Sequence, residues 1–222
     1  MSTIGIGVTT FRRPKHLALW LSQVEAFTEQ PYSLYIANDS VDRRGIAYRK
    51  TECLSALRDC DFIFLFDDDC FPISEGWTDF FIQSHKSSGN DHFIYLKETS
   101  SIVMIEEKSG IQSFNNCGGT FLFLTKTVIE RVGGFHKGYG LYGFEHAGFS
   151  QRIHAAGLTP SGHYLCPSGA GAFIYAMDYD SHLPFNKKVD HRSSITVDEA
   201  LFSLEKNKTL FETDLKSIYQ KL

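Results

Sequence analysis

The sequence predicts an α/β fold: a doubly wound, mostly parallel central sheet flanked by helices, with a helical C-terminal extension. Two observations carry that prediction. Residues 3–66 alternate between strand-like and helix-like periodicity in the order β-α-β-α-β, which builds a parallel sheet through right-handed crossovers. Within that array, "DFIFLF" (61–66) is continuously apolar after its first residue, the pattern of a strand covered on both faces. The length of 222 residues suits one such domain with a short appendage.

Each element has its own signal. "TIGIGVTTF" (3–11) alternates and is β-branched, and reads as the first strand. "PKHLALWLSQVEAF" (14–27) sets Leu17, Trp20, Leu21 and Val24 at helical spacing. "YSLYIAND" (32–39) is a second strand with a polar end, and "GIAYRKTECLSALRDC" (45–60) a second helix. After the apolar third strand come a helix in "GWTDFFIQSHKSSG" (76–89) and short strands in "DHFIYLKE" (91–98) and "SIVMIEE" (101–107). "GGTFLFLTKTVIERVGGF" (118–135) is a strand running into a helix that stops at Gly133-Gly134. "FEHAGFSQRIHAAGL" (144–158) is a helix closing at Gly157, and "SGHYLCPSGAGAFIYAMD" (161–178) is extended and Gly-interrupted. From Ser193 the tail changes character. Thr196 and Glu199 have capping-box spacing, and Leu201, Phe202, Leu204, Leu210, Phe211, Leu215 and Ile218 give one or two amphipathic helices. A packed arm, a homo-oligomer contact or an acceptor-side lid would each use such a tail.

Composition narrows the class. Hydrophobic residues are 42% and charged residues 22%, ordinary for a globular protein, and the 19 Phe and 10 Tyr point to aromatic packing or pockets. A net charge of −4 gives no global basic field toward nucleic acid. Five cysteines without a C-x-x-C pair read as reduced, mostly buried thiols, and the first residues lack an apolar export core, so a cytoplasmic location is expected. No segment approaches the roughly 20 apolar residues of a membrane span.

The chemistry concentrates in "DFIFLFDDDCFP" (61–72), where the apolar strand ends in Asp67, Asp68 and Asp69. A single aspartate after a strand commonly caps the next turn. Three together repel one another unless a cation sits among them, and strand ends are where α/β sheets place ligands. In an extended D-x-D, Asp67 and Asp69 share a side and Asp68 faces elsewhere. Two converging carboxylates suit Mg²⁺ or Mn²⁺, which keeps open positions for phosphate oxygens.

At this point the chain resembles a GT-A fold glycosyltransferase, closest to the family 2 group. Four blocks carry the likeness over about residues 3–160: "IGIGVTTFRRPKHLALWLSQV", "YIANDSVDRRGIAYRKTECLSAL", "FIFLFDDDCFP" and "CGGTFLFLTKTVIERVGGFHKGYGLYGFEHAGFSQRIHAAG". The resemblance implies a Rossmann-like domain over 1–192, with a nucleotide-binding half to about residue 72 and an acceptor-side half from 73, plus the helical tail 193–222. It implies a nucleotide-diphosphate sugar donor, UDP-type favoured, with Mn²⁺ or Mg²⁺ as cofactor. Thr9 and Phe11, with Arg12 or Arg13, would line the base and ribose pocket. Asp39 would accept from the base, and Arg44 or Arg49 would lie near the nucleotide. Asp67 would meet ribose or metal, beside Asp68, and Asp69 would be the main metal ligand. Gly118 and Gly119 would let the backbone approach the donor sugar. His182, or else His163, would be a third metal ligand, and Lys187, Lys188 and Arg192 would cover the diphosphate.

The family's acidic motif departs here. Members usually carry Glu-Asp, with the aspartate as base in inverting enzymes, and this chain has Glu145-His146. Glu145 is the preferred base if burial raises its pKa, with His146 second. Inversion and retention both stay open. A nucleotidyltransferase is disfavoured because "GVTTFRRPKH" lacks a Gly-rich phosphate loop. A catalytically silent sugar-nucleotide-binding module is disfavoured by the intact D-x-D and Glu145. The acceptor is a hydroxyl on a glycan, lipid, protein or modified DNA base.

Overall fold

A computed structural model describes residues 2–159, 164–180, 195–214 and 217–222. Its first elements are β1 (Ile4–Thr10), α1 (Pro14–Phe27), β2 (Tyr32–Asn38), α2 (Ile46–Leu57) and β3 (Phe62–Asp67). Pro14 starts α1 where a missing N–H costs nothing, and His16, Trp20 and Val24 fall one turn apart on its buried face. β1 pairs in parallel with β2 on one side and β3 on the other, setting Val8 beside Ile36 and Phe66. β1 is buried at every position because neighbours flank it and helices cover it.

The sheet has five strands in the order β2-β1-β3-β8-β5, completed by β8 (Phe121–Thr125) and β5 (His92–Ile94). β8 runs antiparallel to both β3 and β5. Four strands therefore point one way and β8 alone is reversed. Two accessory layers sit beyond the strand ends. β4 (Cys70–Pro72) pairs with β10 (Ile174–Ala176), and β7 (Ile111–Phe114) lies between β6 (Met104–Lys108) and β9 (Tyr164–Pro167). β4 and β7 have three and four residues, too short for a periodic sequence signal. Among the described residues the other α-helices are α3 (Trp77–Ser88), α4 (Lys126–Val132), α5 (Glu145–Ala155) and α6 (Val197–Asp214).

Alternation along β3 divides the core. Phe62, Phe64 and Phe66 face one apolar layer, and Ile63 and Leu65 face the other. The first layer is aromatic: Phe64 meets Trp77 at 4.7 Å between ring centroids, Phe66 meets Phe121 at 4.9 Å, and Trp20 meets Phe66 at 5.6 Å, all edge-to-face. Each fully buried Phe contributes roughly 1.5–3 kcal/mol. This layer fixes β3, and with it the acidic turn that follows.

α6 is one continuous helix, and its capping box forms, with Glu199 accepting from Thr196 N at 2.9 Å and Thr196 Oγ1 accepting from Glu199 N at 3.2 Å. Its inward positions are Ser203, Asn207 and Asp214, whereas Leu201 and Phe202 are 61% and 72% exposed. Among the described residues no helix is long and apolar enough to cross a membrane.

Candidate active site

A cavity of about 840 Å³ opens at the C-terminal ends of β1 and β3, the edge where parallel sheets place ligands. One wall carries Thr9, Phe11, Arg13, Asp39 and the three aspartates. Another carries Tyr142, Glu145 and His146, with Leu204 and Phe211 contributed by α6.

The aspartates do not follow the extended alternation expected of D-x-D. β3 ends at Asp67 and the chain turns through Asp68 and Asp69 before β4. Asp68 therefore shares a partner with Asp69: Arg13 Nη1 lies 3.0 Å from Asp68 Oδ1 and 2.9 Å from Asp69 Oδ2. Asp68 also accepts from Thr10 Oγ1 at 2.6 Å, and Asp67 accepts from Thr9 Oγ1 at 2.7 Å and Lys50 Nζ at 2.9 Å. Burial pushes the Asp68 carboxyl up to about 7, against the pull of Arg13 and the Thr10 hydroxyl. Arg13 and Lys50 are thus the cations that make an acidic triplet tolerable at one strand end.

Lys50 is the residue that sequence reasoning missed. Its side chain is fully buried, and its ammonium donates to Gly119 O at 2.6 Å as well as to Asp67. The His146 ring nitrogens lie 3.3 and 3.4 Å away. One charge therefore touches both the acidic turn and the opposite wall. Its signal was present: Lys50 falls between Ala47, Leu54 and Leu57 in the buried stripe of α2, where a lysine has no packing reason to be.

Glu145 opens α5 and His146 follows it. Glu145 is 2% exposed, and its Oε1 lies 2.6 Å from His146 Nε2. Burial alone would raise the Glu145 carboxyl; the charge and hydrogen bond of His146, with Lys50, outweigh it and hold the group at about 2. This reverses the premise that burial would make Glu145 the better base. Glu145 Oε2 is buried without a hydrogen-bond partner among the described residues.

A Cβ on Gly119 would lie 1.7 Å from His146 Cδ2, and one on Gly118 would lie 2.2 Å from the Tyr179 hydroxyl. Here the missing side chains admit protein rings. Asp39 accepts from the backbone N–H groups of Arg44 and Gly45 and from Arg49 Nε at 2.8 Å. Arg49 lines the cavity, but the Arg44 side chain turns to Asp42 and Tyr48, outside it, because both partners sit on its own exposed loop and helix edge. Arg43 takes that place, with its guanidinium 4.8 Å from the centre of the Phe11 ring. His163, His182, Lys187, Lys188 and Arg192 lie outside the described residues.

Among the described residues no group of three His, Cys, Asp or Glu side chains is arranged to hold a metal ion. One feature does suit a cation. Asp69 Oδ1 is buried with no donor among the described residues, and Asp69 lines the cavity. A carboxylate oxygen removed from water and left without a donor is costly, and a cation would satisfy it. Asp69, with Asp67 nearby, is the donor set such an ion would use.

No family model matches the chain. It is 32% identical over 130 residues to an uncharacterized glycosyltransferase of Acanthamoeba polyphaga mimivirus, a match covering 53% of this chain. The chain spans 48% of that relative's length. Three solved structures resemble it at low identity. The catalytic domain of Drosophila β1,4-galactosyltransferase 7, solved with xylobiose, matches at TM-score 0.54 and 17% identity, covering 100% of this chain and 82% of that one. S. aureus TarS with UDP matches at 0.57 and 12%, covering 78% and 60%. A mannosyltransferase of Pyrobaculum calidifontis with GDP-Man and Mn²⁺ matches at 0.55 and 12%, covering 76% and 55%. The chain has the GT-A glycosyltransferase fold, with a mixed α/β sheet flanked by helices.

Proposed function

We propose that the chain is a metal-dependent glycosyltransferase that moves a sugar from a nucleotide diphosphate, UDP-type favoured, to an acceptor hydroxyl. The observation that carries this is one cavity with an acidic strand-end turn on one wall and the Glu145–His146 pair on another. Structures with the same fold that hold UDP, or GDP-Man with Mn²⁺, support the donor and metal.

In this reading Thr9, Phe11, Arg43 and Asp39 hold the base and ribose, and Arg13 and Arg49 lie toward the phosphates. Asp69 and Asp67 would hold Mn²⁺ or Mg²⁺, which when bound neutralises charge on the departing diphosphate. His146 is the base, ahead of Glu145. With the imidazole neutral, Nε2–H donates to the Glu145 carboxylate 2.6 Å away and Nδ1 carries the lone pair that takes the acceptor hydroxyl's proton, giving an imidazolium that Glu145 stabilises. Lys50 keeps the two walls in register by holding Asp67 and the Gly119 carbonyl together.

The test is a panel of nucleotide-diphosphate sugars incubated with the protein and Mn²⁺, with water as the acceptor hydroxyl, reading release of free nucleotide diphosphate beside calorimetric binding. One donor should turn over, and His146→Ala should lower that rate by about 10²–10⁴-fold while leaving nucleotide affinity unchanged. A wild-type protein that neither binds nor hydrolyses any donor across the panel contradicts the reading.

A further inference from the structure

The turn that delivers Glu145 is under strain. Phe144, the residue just before α5, has φ +68°, and Gly143 has φ +90°. A left-handed conformation is costly for a bulky aromatic residue. Such a residue keeps that conformation only where its surroundings over-determine it, and here the surroundings are α6.

Asn207, in the middle of α6, has no exposed surface. Its Nδ2 donates toward Tyr139 O at 2.6 Å, Tyr142 O at 2.8 Å and Gly143 O at 2.9 Å. The two N–H bonds of one amide are thus shared among three carbonyls of the segment leading into Glu145, while its Oδ1 has no partner among the described residues. The side chain is used as a donor only. Leu204, one turn earlier, fills the space beside Gly143, where a Cβ would come within 2.5 Å of its Cδ2. Phe211, one turn later, packs its ring 5.4 Å from that of Phe144. Asp214 accepts from the Tyr139 hydroxyl at 2.8 Å and closes the set. Four residues spaced one turn apart along one helix therefore grip the strained segment.

We propose that Asn207 is a positioning residue for the reaction: through α6 it holds the Tyr139–Phe144 turn so that Glu145 and His146 face the acceptor. The C-terminal helix is then part of the acceptor wall, with Leu204 and Phe211 as its apolar surface, and not an appendage. The inference rests on the transferase reading for its catalytic consequence, but its structural half stands apart from it.

The experiment compares wild type with Asn207→Ala, Asn207→Asp, which is nearly isosteric and cannot donate when ionised, read at a pH high enough to ionise it, and Asn207→Ser, which keeps one donor. Hydrogen exchange followed by mass spectrometry reads residues 139–148. Turnover reads kcat and the donor KM, and calorimetry reads nucleotide binding. The expected result is exchange in that segment at least tenfold faster in the alanine and aspartate variants. With it comes a kcat at least tenfold lower, unchanged donor KM and nucleotide affinity, and partial recovery in the serine variant. If the alanine variant does not fold, Leu204→Ala supplies the same two readouts. Unchanged exchange in a folded variant overturns the inference, as does wild-type kcat with faster exchange. Faster exchange in a protein whose wild type neither binds nor turns over any donor supports the clamp and instead overturns the transferase reading.

Discussion

Replacing Lys50 with Met removes the charge that joins the two walls and keeps most of the side-chain volume. The ammonium is fully buried, and its partner Asp67 is 23% exposed in its side chain. Removing one member of a buried pair costs about 3–5 kcal/mol. Asp67 keeps the Thr9 hydroxyl and some water, so the lower end applies, about 3 kcal/mol. About 1 kcal/mol of that belongs to the Gly119 carbonyl, which loses its donor. In a domain of this size each kcal/mol shifts the melting temperature by roughly 2–4 °C, so a fall of about 6–12 °C is expected. Urea denaturation at neutral pH measures the loss directly. The double variant Lys50→Met/Asp67→Asn should recover about 1.5 kcal/mol or more, because the unpaired carboxylate is gone. A single-variant loss below about 1 kcal/mol, or a double variant no more stable than the single, would refute the argument that Lys50 is the counter-ion of the acidic turn.

Three further outcomes are expected. Gly119→Ala should displace the His146 ring, since its Cβ would fall 1.7 Å from Cδ2; turnover should drop about as far as in His146→Ala, by about 10²-fold or more, with nucleotide affinity kept, as read by kinetics beside calorimetry. Burial drives the His92 imidazole down to about 4 against the pull of the Phe123 carbonyl. Its folded pKa is below its unfolded value, so its contribution is complete above about pH 6.5 and is lost as pH falls through 4, amounting to on the order of 3 kcal/mol. Urea midpoints across that window, compared with His92→Gln, should show the variant losing less stability than wild type. Arg43→Ala should weaken nucleotide binding several-fold by removing the guanidinium on Phe11, whereas Arg44→Ala, directed at Asp42 and outside the cavity, should leave calorimetric affinity within about twofold.

What the sequence revealed, and what it hid, follows from the range of each signal. The strands and helices up to Asp67 were legible because period-2 and period-3.6 patterns are local and the apolar run of β3 is unbroken. The three aspartates marked the site for the same reason. Their geometry was not legible: a strand keeps alternating only while it stays extended, and the chain turns at Asp68 and Asp69. The state of Glu145 depended on the neighbouring imidazole folding back to 2.6 Å, which adjacency in sequence does not dictate. Arg43 and Arg44 are consecutive in a loop without periodicity, so nothing local decides which one faces the cavity. In the tail, leucines and phenylalanines suggested the buried face, yet Asn207 and Asp214 are inside and Leu201 and Phe202 are outside. The polar stripe is buried because it answers the carbonyls and the hydroxyl of a distant turn, a demand that only the tertiary fold creates.

On the proposed function, the acidic strand-end turn and the cavity would form a metal-assisted nucleotide-sugar site. Calorimetric titration of UDP into wild type and Asp69→Ala, with and without Mn²⁺, tests it most directly. Binding to wild type should tighten at least tenfold with Mn²⁺ and lose that gain in Asp69→Ala. No binding of UDP or another nucleotide diphosphate to wild type with Mn²⁺ present, or a gain that survives the loss of Asp69, would contradict it.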